Sequence, residues 1–147
     1  MSENLRLARL YLVLLTIFTV GRWVMGMRGV PYERGHHVFS IVIMTALSCF
    51  FYGAFCRRWR GHKVLKAVGL AVMLGLMSQI AILGATALSY ALGLQTYFNH
   101  PTALNVEAAI PAGEALVRRA TGLVGNPIMS GIIGALGWAL GGLLPES

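Results

Sequence analysis

Charge is scarce in this chain, and acid scarcer still. Of its 147 residues 12% are charged, and the five acidic ones are all glutamate; a soluble domain carries about 25% charged residues. No acidic residue falls within any of the long apolar runs, and no Lys or His falls in the middle of one. That excludes proton-coupled antiport, which needs a titratable group at membrane depth. Cysteine is nearly absent too. Cys49 and Cys56 are seven residues apart on one expected helix, about 10 Å along its axis, which no disulfide can bridge. Without a Cys-x-x-Cys pair the chain is no thiol oxidoreductase, and both thiols are expected to be buried. There is no nucleophile elbow, no phosphate loop and no pair of histidines within the apolar runs to ligate haem. No internal repeat is present.

What remains is apolar: 56% of the residues are hydrophobic and the mean hydropathy is +0.69. Apolar runs of this length belong in a bilayer. The expected fold is an all-α integral membrane protein, a single transmembrane domain built as a four-helix bundle. The spans are expected near 5–25, 38–55, 64–94 and 127–144, with a partly helical polar loop between the third and fourth. The first run opens on Arg6 and Arg9 and shows no small-x-small cleavage site, so it reads as an uncleaved signal-anchor helix. In the third loop Pro101 suits the first position of a short helix, and Asn126-Pro127 reads as the start of the last span. The alternative is one long helix from Ala112, kinked at Pro127.

The net charge is +7, but the cations flank apolar runs and form no stripe on a polar helix, so nucleic acid is not the expected partner. Arg57, Arg58, Arg60, Lys63 and Lys66 crowd the turn between the second and third runs. Each would cost about 2.5–3.5 kcal/mol at a helix centre in hydrocarbon, so this turn is expected in water against anionic lipid headgroups. With Arg6 and Arg9 it makes seven cations on one side; Arg22, Arg28, Arg34, Arg118 and Arg119 make five on the other. The positive-inside rule then places both termini in the cytoplasm, with a bacterial inner membrane as the default setting.

Helical spacing sorts the remaining residues into faces. On the second span Thr45, Ser48, Cys49, Tyr52 and Cys56 share a face expected to look inward, with Ile41, Ile43, Leu47, Phe50 and Phe51 opposite. Small residues recur on the third span at Ala71, Gly75, Ser78, Ala81, Ala85, Ser89 and Gly93. On the fourth they recur at Ser130, Gly134, Gly137 and Gly141; such faces let helix backbones approach. Thr45, Ser48, Tyr52 and Gln79 are the candidates for a pore lining or for interhelix hydrogen bonds. Glu33, His36, His37 and His100 are the candidate metal or acid–base residues, all in loops expected on the outer side with Glu107 and Glu114. A Glu-x-x-His pair such as Glu33 and His36 serves di-iron sites in bundles, but in two copies with further carboxylates. No cofactor follows from this pattern.

The leading expectation is an accessory or assembly subunit, or a homo-oligomer, acting through helix packing without chemistry of its own. The alternatives are a channel or carrier for a small solute or ion, and an interfacial metalloenzyme using His36, His37, His100 and Glu33.

Overall fold

The computed structural model describes residues 6–144. The expected Leu5 start of the first span, and both termini, lie outside them. The described residues are all helical, with no strand: α1 (Arg9–Met27), the single turn α2 (Tyr32–Gly35), α3 (Ile41–Arg58), α4 (Val64–Ala91), a 3-10 turn (Pro101–Leu104), α5 (Ala112–Ala120) and α6 (Gly122–Gly141). Four helices are long and apolar enough to cross a membrane: α1, α3, α4 and the run from Ala112 to Gly141.

The first span ends at Met27 rather than 25, the second at Arg58 rather than 55 and the last at Gly141 rather than 144; three further boundaries move for reasons the structure shows. The second span starts at Ile41 rather than Val38, because Phe39 takes a left-handed φ of 53° and breaks the chain before Ser40. The Ser40 side chain then caps α3 by accepting from the Ile43 amide. The third span ends at Ala91 rather than Leu94. Gly93, at φ 62°, reverses the chain, and the amides of Gly93 and Leu94 return to the carbonyls of Tyr90 and Ser89. That is a Schellman closure, in which only glycine adopts the reversing conformation at low cost. The third correction is at Asn126-Pro127, which starts no helix. Helical backbone runs from Ala112 through Thr121 to Gly141, with Pro127 inside it. Of the two readings of the sequence, the long helix is the one found.

The centre of the bundle is α3, α4 and α6. The sixth helix packs along both of the others, while α1 lies more lightly on α3 and α4. Its glycines meet backbone. A Cβ on Gly137 would strike the Phe50 carbonyl, and one on Gly141 would lie 2.7 Å from the Ala54 Cα. From the other side, a Cβ on Gly53 would strike the Gly134 carbonyl, and one on Gly134 the Ala71 methyl. The small-residue faces expected on the third and fourth spans therefore close on this chain's own helices. The face expected to look inward on α3 does so at Thr45, Cys49, Tyr52 and Cys56, and neither cysteine is in a disulfide. Ile41, expected opposite, is buried as well.

Helix α1 runs parallel to α4 and is offset along it. Tyr11, its third residue, donates to the carbonyl of Leu74, the eleventh of α4; Trp23, its fifteenth, donates to Ser89, the twenty-sixth. The displacement of eight to eleven residues is about 12–16 Å. It carries the end of α1 past the start of α3, and the two loops at 28–40 and 92–111 fold over it as a cap. At the opposite end the α3–α4 turn meets the end of α6. The Arg57 guanidinium donates to the Ala139 carbonyl at 2.9 Å and covers the Trp138 ring, whose indole donates to the His62 carbonyl. Arg57 thus holds the α6 terminus, where a cation also suits the helix dipole.

The glycine contacts give the first prediction. Gly137→Leu or Gly141→Leu drives a side chain into α3 backbone and is expected to destabilise the bundle by more than about 3 kcal/mol, the usual upper range for overpacking. Gly84→Leu, at a position with open space around it, is expected to be neutral. Thermal unfolding in detergent compares the three; equal stability would mean that α6 does not meet α3 as described.

Candidate functional site

The cap is built from two loops that lock onto the end of α1. The turn 94–99 is tied internally: Asn99 accepts from the Thr96 amide and donates to the Leu94 carbonyl, and Thr96 accepts from the Phe98 amide. Ser89 joins this turn to α1, pairing with Thr96 at 2.8 Å while accepting from the Trp23 indole at 2.7 Å. Trp23 is therefore turned inward. Tyr97 and Phe98 are almost fully buried, at 2% and 1% exposure. The Tyr97 hydroxyl donates to the carbonyls of Val30 and Pro31, 2.9 and 3.2 Å away, and rests on Gly35, where a Cβ would displace it. Burial pushes this phenol above its ordinary pKa, against the opposing pull of the Arg22 cation. The first and third loops thus meet, through aromatic rings and backbone carbonyls.

The histidines gather around Tyr32. His100 stacks on its ring at 4.7 Å and 7°, and His36 at 5.5 Å and 17°; His36 and His37 lie 3.7 Å apart. The Nδ1 atoms of His36 and His100 are engaged locally. His36 Nδ1 lies 3.1 Å from the carbonyls of Tyr32 and Glu33, and His100 Nδ1 accepts from the Thr102 amide as the cap of the 3-10 turn. Glu33 belongs to the isolated turn α2 and not to the first turn of a span, because the chain breaks at Phe39. Among the described residues no three His, Cys, Asp or Glu side chains converge as metal ligands. Glu33, His36, His37 and His100 therefore share a neighbourhood without forming a ligand shell. Glu114 is held elsewhere, paired with Arg118 at 2.9 Å across one turn of α5.

Two residues that the sequence left as interface cations form the most unusual feature of the cap. Arg22, on α1, donates to the His36 carbonyl at 3.0 Å and to the Tyr32 hydroxyl at 3.3 Å. Its guanidinium lies 5.5–6.0 Å from the ring centres of Tyr32, Tyr97 and Phe98, within cation–π range. Arg119, on α5, donates to the Phe98 carbonyl at 2.9 Å. Its Nε is buried and has no partner among the described residues. Arg22 and Arg119 both line one cavity of about 60 Å³, together with Ser40 and the first turn of α3. Neither arginine has an acid within four residues in the chain, but the same holds for the cations of the Arg57–Lys66 turn, so the sequence does not single them out. Spacing alone does not bring residues 22 and 119 together.

The candidate lining residues divide. Gln79 donates to the Arg119 carbonyl and accepts from Asn126, and so supplies partners at the joint between α5 and α6. Thr45 pairs at 3.0 Å with Tyr11, a residue that sequence spacing did not single out. Ser48 and Tyr52 instead line an apolar groove between α1 and α3, with Leu10, Leu14 and Leu47. The four do not share one path. Ser130 closes against Gly75 of α4.

The Gln79 bonds are testable. Gln79→Leu strands the Asn126 amide and the Arg119 carbonyl and is expected to cost about 1–3 kcal/mol. Asn126→Leu added to it should cost less than the two separate losses combined, which a double-mutant cycle on thermal unfolding measures. Additive losses would mean that the two amides do not bond.

Comparison of the chain with protein-family models, with curated proteins and with solved structures finds no match, so its function is read from these residues alone.

Proposed function

We propose that the chain is a small polytopic membrane protein that works by helix packing, as an accessory or assembly subunit or as a homo-oligomer, without chemistry of its own. The observation that supports this reading is that the polar side chains deep between the helices are engaged in holding the bundle. Tyr11 is bonded to Thr45 and Leu74, Gln79 to Asn126 and the Arg119 carbonyl, and Trp23 to Ser89. Buried polar groups arranged for turnover keep some bonding capacity for a substrate. Here that capacity goes to neighbouring helices, as expected of interhelix hydrogen bonds worth about 0.6 kcal/mol each.

The bundle lies across a bacterial inner membrane in this reading, with both termini in the cytoplasm. The cluster from Arg57 to Lys66 supports that orientation through its excess of cations, and its exposed members, Arg60 and Lys63, meet anionic headgroups. The sides left to membrane partners are apolar. Along α1, Leu10, Val13, Ile17 and Val20 are each at least half exposed at spacings of three and four, a continuous stripe on one helix face.

Extraction in mild detergent tests the reading. The expected result is a defined complex heavier than one 15.9-kDa chain, holding further copies or a second membrane subunit. A bare single chain that conducts a solute in liposomes would replace the packing subunit with a conduit. Orientation is tested separately, with a reporter that is active only outside the cytoplasm, fused after Ser147 or inserted at Arg60. Both fusions are expected to be silent, and activity at both would reverse the topology.

A further inference from the structure

We propose that the cavity between Arg22 and Arg119 is a binding site for a phosphate-class oxyanion, presented by an anionic phospholipid headgroup or by free phosphate. Three features of the cavity point to a ligand of this charge and shape.

The first is uncompensated charge. Two arginines line one small space, and neither makes an ion pair with a carboxylate among the described residues. The aromatic rings and backbone carbonyls around them attract a cation but carry no net charge, so an anion in the cavity meets two cations and no competing acid.

The second is unused donors. A guanidinium has five N–H donors; Arg22 uses two, on the His36 carbonyl and the Tyr32 hydroxyl, and Arg119 uses one, on the Phe98 carbonyl. The Nε of Arg119 is sealed from solvent with no acceptor, although a buried donor without a partner is rare and costly. Ser40 lines the same space. Its oxygen accepts from the Ile43 amide, which leaves its own hydrogen to donate. Ile41 and Val42 also line the cavity, which places the positive end of the 18-residue helix α3 at the same spot; the first amides of a helix have no internal acceptor.

The third is size. A water needs about 10–15 Å³ of such space, so a cavity of about 60 Å³ takes a few waters or one tetrahedral oxyanion. Forked guanidinium donors match the paired oxygens of phosphate. Phe39, strained at φ 53° immediately before Ser40, is the residue that turns the start of α3 into the cavity, and such strain gathers where a site is being shaped.

The phospholipid source depends on the membrane placement proposed above; the cavity and its chemistry do not. The test uses the full chain purified in a neutral detergent. In one arm, inorganic phosphate is titrated and binding followed by calorimetry. In the other, native mass spectrometry measures retained phosphatidic acid against phosphatidylcholine after exposure to mixed micelles. Saturable binding in either arm, weakened about tenfold or more by Arg119→Gln and by Arg22→Gln, as expected for loss of a charge-assisted bond, and unchanged by Arg60→Gln at the exposed turn, supports the proposal. The arm that responds names the source. Should either cavity variant fail to fold, Ser40→Ala takes its place, with an expected weakening of about threefold to tenfold. Absence of binding to the unsubstituted chain in both arms overturns the site, as does equal binding by the cavity variants. None of these outcomes bears on whether the chain assembles with partners, which the mass of the extracted complex reads independently.

Discussion

Contact between helix backbones, without side chains in between, is the constraint on which this bundle depends. Lipid tails are as apolar as leucine, so helices in a bilayer gain little from burying leucine against one another; they gain from close packing and from hydrogen bonds. The chain meets this requirement along α6. Gly134, Gly137 and Gly141 lie against Ala71, Phe50 and Ala54, and Gly53 returns the contact from α3. Four positions on two helices therefore set the distance between α3, α4 and α6. Once they are set, Cys49, Leu70, Ala71 and Leu74 fill the space behind them. The buried hydroxyls of Ser78, Thr86 and Ser89 are satisfied by carbonyls of their own helix.

The axial offset of α1 follows from where that helix can find partners. With α6 occupying the other side of α3 and α4, α1 is left a shallow seat. It is held at two polar points, Tyr11 on Leu74 and Thr45 and Trp23 on Ser89. Those points fix its register on α4 and push its last turns beyond the start of α3. The projecting end needs cover, and the Tyr97-Phe98 pair supplies it, with Gly26 close against the Thr96–Tyr97 backbone. Arg22 is drawn into the cap by the same displacement, and the rings that cover α1 become the rings that surround its guanidinium. The histidines take their places as neighbours of Tyr32, which explains why residues so suggestive in the sequence make no shared shell.

How much of this was legible depended on whether the signal was periodic. The four spans, the inward polar face of α3 and the small-residue faces of α4 and α6 were readable, since each repeats at helical spacing and helical geometry converts spacing directly into a face. What the glycine face meets was not readable. A small-xxx-small pattern looks the same whether its partner is another copy or a neighbouring helix, and here Gly137 and Gly141 meet Phe50 and Ala54, 87 residues earlier in the same chain. Boundaries set by single residues were misread where the local signal was ambiguous. Phe39 carries no turn-forming chemistry, yet it holds a left-handed conformation because its ring packs on Phe18 and Gly21. Asn126-Pro127 carries every mark of a helix start, but Gln79 on a different helix engages both Asn126 and the Arg119 carbonyl, and the helix passes through. The arginine pair was invisible for the same reason: 97 positions separate its members, and only the cap brings them to one cavity.

The cations of this chain can now be divided by what holds them. In the proposed orientation the cytoplasmic end carries the larger share, as the positive-inside rule requires, and its exposed members, Arg60 and Lys63, touch little besides the Phe55 ring under Arg60. The other end carries cations that the rule disfavours, and three of them have defined partners: Arg22 among carbonyls and rings, Arg118 on Glu114, Arg119 on the Phe98 carbonyl. Arg28 and Arg34 remain as loop charges. A cation retained against the topological gradient needs a local reason. For Arg118 the reason is an ion pair; Arg22 and Arg119 have no carboxylate partner among the described residues, and the carbonyls of the cap hold both beside the one cavity they line.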